Sequence, residues 1–344
     1  LLRWVADFIG YPDSAAGDLT SGGSIAILSA MVTARESCGV RAREVERTVA
    51  YLTAQTHHCV DKALAIAGVG ECVQRRIPLD ARYRMDVAAL AEQVARDRAD
   101  GLRPWLVVAS AGTTDTGAVD PLPAIADVAQ REGLWLHVDG AYGASFALTD
   151  EGKRRLAGLE RADSLVLDPH KGLFLPFGTG LVLVRDGDEL RQAYTFTASY
   201  MQDTGGFGEA MELSPAAASP ELSRHFRALR LWLPLKLAGV GAFRAALEEK
   251  LLLARYFHAR MAELPDFEVG PEPDLSIVVF RYVPDEGDAD AFNLQLAERI
   301  QADGRIYLST TRLDGRIVLR LAVLNVRSHR REVDLAVEVI RETA

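Results

Sequence analysis

Ser21-Gly22-Gly23-Ser24 stands directly before an apolar helical run over residues 25–34. Two glycines let a ligand approach the backbone closely, and a helix N-terminus presents free N–H groups and the positive end of a dipole. Together they form an anion cradle suited to a phosphate, although the same four residues also make an ordinary helix cap. Further along, an apolar run from Leu134 ends in Asp139 and continues as Gly140-Ala141-Tyr142-Gly143. An acidic residue at the carboxyl end of a parallel strand stands where open α/β sheets bind ligands. It can hold a metal or a ribose, keep a heterocyclic nitrogen protonated, or simply end the strand. A third run, Ser164-Leu165-Val166-Leu167, leads through Asp168-Pro169-His170 to Lys171. A lysine behind a proline-stiffened turn and beside a histidine is a candidate imine-forming amine; as a class, lysines that are partly desolvated and near other cations become nucleophilic. Most lysines are solvated surface charges, so Lys171 gains meaning only from its company.

These residues need elements to hold them. Residues 48–53, 71–77, 105–109, 134–138 and 164–167 read as strands, and 60–67, 86–98 and 121–132 between them as helices. That alternation predicts βαβ units and a mostly parallel sheet covered on both faces. Gly178-Thr179-Gly180 leads into a further strand over 181–184, and residues 203–219, rich in Gly, Ala and Pro, read as a mobile loop. Long helices follow over 222–237 and 243–264. Then come a strand (276–282), a helix (289–302), two strands (305–309 and 317–322) and a terminal helix, a second and smaller α+β unit. The 344 residues accommodate one large domain, 1–238, and a small one, 239–344. A net charge of −9 disfavours nucleic acid as a partner, and no apolar stretch reaches the roughly 18 residues of a membrane span. Cys38, Cys59 and Cys72 have no metal-ligand spacing, so no metal is expected, and their odd number reads as reduced thiols in the cytoplasm. Leu1 opens within an amphipathic stretch without an initiator methionine, which gives the expectation of missing N-terminal sequence; the C-terminus reads as complete.

A phosphate cradle, a strand-end aspartate and a lysine about one βαβ step later meet the needs of a pyridoxal 5′-phosphate site. Such a site anchors a phosphate, pairs a carboxylate with the ring nitrogen and supplies an amine for the aldehyde. With these residues in view the chain resembles the group II pyridoxal-phosphate-dependent amino-acid decarboxylases, the family that includes aromatic-L-amino-acid decarboxylase. The family string HVDAAYGG reads HVDGAYGA here, from His137 to Ala144, and NPHKW reads DPHKG, from Asp168 to Gly172. Gln55-Thr56-His57 and Gly112-Thr113-Thr114 match its histidine and GTT turn, and the similarity continues through residues 305–310.

The resemblance implies the aspartate aminotransferase fold, type I, with a large PLP-binding α/β domain and a small C-terminal one. It implies decarboxylation of an L-amino acid, aromatic in preference, to an amine and CO₂. Lys171 then forms the aldimine with the cofactor, and Asp139 holds the ring nitrogen protonated so that the ring accepts electrons in a quinonoid intermediate. Thr114 and Ala141 line the ring. Gly23, Ser24, Asp168 and His170 surround the phosphate, with Ser164 near them. His57 stacks over the ring, His58 is a polar residue at a helix start, and Tyr200 matches the loop tyrosine that protonates Cα. A two-fold homodimer with shared active sites is the family's expected assembly.

Several residues depart from the family pattern. Ile25 and Ile27 replace residues that are usually polar, and Gly172 replaces a tryptophan, which is expected to open space beside the imine. Asp168 replaces an asparagine and puts negative charge near a phosphate, unfavourable unless His170 or Arg224 compensates. The family's N-terminal segment, which wraps the partner subunit, has no counterpart in this sequence, so an exposed apolar surface is expected around Trp4, Phe8 and Ile9. Two other readings stay open. The same cofactor supports transamination or oxidative deamination to an aldehyde, and a degenerate homologue would bind cofactor or partner without turnover.

Overall fold

The computed structural model describes residues 1–195 and 215–344. Eleven strands occur among them. They are β1 (Ala16–Thr20), β2 (Thr48–Thr53), β3 (Val73–Ile77), β4 (Arg103–Ser110), β5 (Trp135–Asp139), β6 (Ser164–Leu167), β7 (Gly180–Val184), β8 (Phe267–Val269), β9 (Ile277–Tyr282), β10 (Ser309–Leu313) and β11 (Arg316–Ala322). The helices in the first part are α1 (Leu2–Ile9), α2 (Gly23–Ser37), α3 (Cys59–Ile66), α4 (Val87–Ala99), α5 (Leu122–Glu132), α6 (Asp150–Arg155), α7 (Pro169–Gly172) and α8 (Gly187–Tyr194). After residue 214 come α9 (Ala228–Ala262), α10 (Ala289–Asp303) and α11 (Arg330–Thr343).

The first seven strands form one sheet in the order β1-β7-β6-β5-β4-β2-β3, and the last four a smaller antiparallel sheet, β10-β11-β9-β8. Strands β2 to β6 run parallel, while β7 pairs antiparallel with both β6 and β1. The expected mixed, mostly parallel α/β fold with a smaller α+β unit is therefore present.

Side chains along the central strands point alternately to the two faces of the sheet. Val107, Ala109, Leu136, Val138, Leu165 and Leu167 enter one buried cluster, covered by α1, α4, α5 and α9. Leu106, Val108, Trp135, Val166 and Val182 enter another, covered by α2, α3 and α8. A one-residue slip in any central strand would exchange these two sets, so burial on both sides fixes the register. Local signals fix the helix ends. Asp86 caps α4 by accepting from the N–H groups of Ala88 and Ala89, and Gly133 ends α5 in the left-handed region at φ 62°.

Four elements differ from expectation. Strand β1 is too short and too mixed to read as a strand; it exists because β7 pairs with it along its length. Residues 222–227 are not helical, and α9 begins at Ala228 and breaks at Gly239, where φ is 74° and ψ 155°. The strand expected over 305–309 lies at Ser309–Leu313, set by its hairpin with β11 around Asp314-Gly315. Of the loop expected over 203–219, residues 203–214 lie outside the described residues, and Pro215–Ala218 forms a 3-10 turn. The apolar N-terminus is not exposed either. Val5, Ala6 and Ile9 join the first cluster, and Trp4 packs edge-on against Phe8 at 5.1 Å. Exposed apolar side chains lie instead at Leu222, Phe226, Trp232 and Leu237, before and along the first half of α9.

Gly180 begins β7 under the loop that precedes α2. A Cβ there would lie 2.4 Å from the Gly22 carbonyl carbon. Gly180→Ala is therefore expected to cost about 1–3 kcal/mol by overpacking, read as a fall in thermal midpoint against wild type.

Candidate active site

Strand ends bring the candidate residues together. β1 leads into Ser21–Ser24, β2 into Gln55 and His57, β4 into Gly112–Thr114, β5 into Ala141, and β6 into Asp168–Lys171. The reversed strand β7 starts at the same edge, so Gly178 joins them. The result is a cavity of about 430 Å³ lined by Gly23, Ser24, His57, Thr114, Asp139, Ala141, Asp168, His170 and Lys171, all expected from the sequence.

At one end of the cavity α2 begins with N-cap Gly22, which supplies no side-chain acceptor to the first turn. The backbone there faces the cavity through Gly23 and Ser24. A Cβ on Gly23 would lie 2.7 Å from Asp168 Oδ2, so glycine keeps this approach open. Asp168 is 2% exposed; its Oδ2 is 3.1 Å from Lys171 Nζ and 3.8 Å from His170 Nε2, and its Oδ1 has no protein partner. Burial raises the Asp168 pKa, against the pull of Lys171 and His170. His170 Nδ1 donates to the Thr179 carbonyl at 2.8 Å, which turns Nε2 toward Asp168.

Asp139 ends β5, and its Oδ1 accepts from the Ala141 N–H at 3.1 Å. His57 Nδ1 accepts from the Cys59 N–H at 3.2 Å and lies 2.7 Å from Cys59 Sγ. Burial, then His58 and Lys171, lower the His57 pKa, so the ring is neutral with its proton on Nε2. Burial pushes the Cys59 thiol up to about 12, which keeps it an S–H donor. His58 is the N-cap residue of α3, exposed, with its ring 4.2 Å from that of His57.

Ser164 is a correction. It opens β6 rather than ending it, about 10 Å from the site edge at the usual strand rise. There its Oγ accepts from Trp135 Nε1 at 2.9 Å and meets His137 Nδ1 at 2.8 Å. Arg224 is another: it pairs with buried Asp18 and with Ser219, so it does not neutralise Asp168. Gly172 opens no space, because a Cβ there would lie 2.6 Å from Ser145 Cβ. Tyr200 lies outside the described residues. Cys59, Ser110, Phe177 and Gly178 line the cavity without having been singled out. Ser110 was within reach of the strand-end rule, since it pairs with Asp139 across β4 and β5. Phe177 and Gly178 depended on the reversal of β7, which has no local signature.

The donor set fits pyridoxal phosphate. An uncapped helix start faces the cavity across from an amine, a carboxylate stands at the neighbouring strand end, and Gln55 Oε1 and Asp168 Oδ1 are buried there without protein partners. Comparison with known proteins agrees. The pyridoxal-dependent decarboxylase conserved domain matches residues 1–283. An aromatic-L-amino-acid decarboxylase of Bacillus atrophaeus is 40% identical over 96% of this chain and 69% of its own length. A phenylacetaldehyde synthase of Arabidopsis thaliana is 30% identical over 100% of this chain and 73% of its own. Among solved structures, Oryza sativa TDC with PLP and tryptamine superposes with a TM-score of 0.89 at 31% identity, covering 99% of this chain and 74% of that one.

His137, two residues before Asp139, is fully buried, and burial pushes its pKa down to about 4. The folded chain therefore binds this proton more weakly than the unfolded chain. Its contribution is intact above about pH 6.5 and is lost as pH falls toward 4, by an amount on the order of 3 kcal/mol. Chemical denaturation across that range is expected to show a shallower acid limb for His137→Gln than for wild type.

Proposed function

The chain belongs to the pyridoxal-dependent decarboxylase family, and from that premise we propose that it removes the α-carboxylate of an L-amino acid, aromatic in preference, as CO₂ and leaves the amine. The observation that carries this reading is the meeting of Lys171, Asp139 and the start of α2 around one cavity. When bound, pyridoxal phosphate supplies an electron sink for the pair left behind when the Cα–carboxylate bond breaks.

The chain's own residues do the rest. Lys171, 40% exposed on its side chain, reaches the cavity as the amine that anchors the aldehyde. Asp139 provides the negative charge that keeps a proton on the ring nitrogen, and so keeps the ring electron-poor. Neutral His57 covers the ring face without adding a positive charge beside that proton. The N–H groups of Gly23 and Ser24, with His170, hold the phosphate. Thr114 and Ala141 border the ring, and Tyr142, whose hydroxyl bonds Ser276 Oγ at 2.6 Å, lines the same cavity. By resemblance Tyr200 is the acid that returns a proton to Cα.

The exposed apolar side chains at Phe226, Trp232 and Leu237 support a homodimer. The break of α9 at Gly239 and the separate sheet of β8 to β11 support domains over 1–238 and 239–344. No helix among the described residues is long and apolar enough to cross a membrane. The free thiols of Cys38, Cys59 and Cys72 support a cytoplasmic location.

The test is a panel of L-amino acids given to the cofactor-loaded protein, with CO₂, amine, aldehyde and peroxide measured together. Amine and CO₂ in equal amounts, greatest with aromatic substrates, are expected. Aldehyde with peroxide would establish the oxidative reading, and no product from any substrate would leave a binding protein. Lys171→Ala is expected to lose both the imine absorbance band and turnover. Asp139→Ala should lower turnover by roughly 10²–10³-fold and weaken cofactor retention. Trp232→Glu should convert the dimer to monomer in sedimentation velocity, with its circular dichroism unchanged.

A further inference from the structure

Asp168 stands between two groups that the proposed function commits to the cofactor. Its Oδ2 contacts Lys171 Nζ at 3.1 Å on one side and packs against Gly23 at the start of α2 on the other. Its Oδ1 is buried and has no protein partner. The titratable groups that face it are Lys171 and His170 of α7, Asp139 of β5, and His57 and Cys59 of the turn after β2; α2 faces it with the backbone of Gly23.

The Lys171 ammonium is the nearest positive charge to Asp168, but it meets Oδ2 alone and leaves Oδ1 unpaired. The phosphate assigned to Gly23 and Ser24 would bring a second anion to the far side of the same carboxyl. Two negative groups sharing one buried site do not both remain ionised, and the proton goes to the one whose charge is held less well: the N–H groups of α2 serve the phosphate, whereas Asp168 is buried with Oδ1 unpartnered. Once protonated, the carboxyl changes from a repelling group into a hydrogen-bond donor. We propose that Asp168 meets the phosphate as a neutral carboxylic acid and donates a hydrogen bond to it, so that the chain takes up the phosphate ester together with a proton. This deepens the proposed function and rests on its placement of the phosphate at α2. Burial already moves the carboxyl toward that protonated state.

Pyridoxine 5′-phosphate carries the phosphate but no aldehyde, which leaves Lys171 chemistry out of the measurement. Calorimetry of its binding, at mildly alkaline pH and in two buffers of different ionisation enthalpy, counts the protons taken up. Wild type is expected to take up close to one more proton per ester than Asp168→Asn, whose amide donates at every pH. Relative to that variant, wild-type affinity should fall about tenfold per pH unit in the alkaline range. Unphosphorylated pyridoxine should show no such difference. Wild type alone gives a second measure, because its proton uptake should be larger for the ester than for pyridoxine. Equal proton counts and parallel pH profiles for the two proteins would overturn the proposal while leaving the phosphate site standing. A difference that persists with pyridoxine would also overturn it. If neither protein binds the ester, the placement of the phosphate at α2 falls, and the proposal with it.

Discussion

A single geometric constraint organises this protein: strands of one sheet must end, or in one case begin, along the same edge. β1, β2, β4, β5 and β6 deliver their carboxyl ends there, and β7 its amino end. Each backbone then leaves the sheet through a short turn and places its next few residues in the cavity. Packing on both faces makes the arrangement rigid. Asp139 lies across from Ser110 on one side and Val166 on the other, and every residue below it on β5 is buried. Moving the carboxylate by one residue would bury it on the opposite face and force Val138 into its place, so the hydrophobic pattern that folds the sheet also aims its chemistry.

Charge within the site follows from the same burial. The imidazoles of His57 and His137 are both driven toward neutrality, one in the cavity wall and one beneath it. Lys171, partly open to solvent, pairs with the buried Asp168. Asp18, buried on the cradle strand, is instead paired through Oδ1 with Arg224, from beyond residue 214. That pairing ties the chain after this segment back to β1, which explains why Arg224 is unavailable to Asp168.

Most of the large sheet was legible because β2, β4, β5 and β6 are buried on both sides and read as short apolar runs between helices, while β3, with Gln74, Arg75 and Arg76, lies at the edge. The lysine and the aspartate were legible because each stands at or just beyond the end of such a run, and the cradle because it stands directly before the apolar run of α2. What escaped depended on distant partners. β1 is defined by β7, and the position of β10 by a hairpin rather than by its own pattern. Ser164 has a suitable side chain and lies close in sequence to Asp168, but extended chain carries it down the strand, away from the edge. The start of α9 at Ala228 was hidden because residues 222–227 share the helix's composition while Arg227 and Arg224 are held by Glu221 and Asp18.

The contact between Gly172 and Ser145 bears on how this scaffold can be redesigned. The position after the lysine looks like an open slot in the sequence, inviting larger residues as a route to new selectivity. In three dimensions it is already plugged from behind. Efforts to retune selectivity are better directed at other lining positions such as Ile25 and the exposed Phe177.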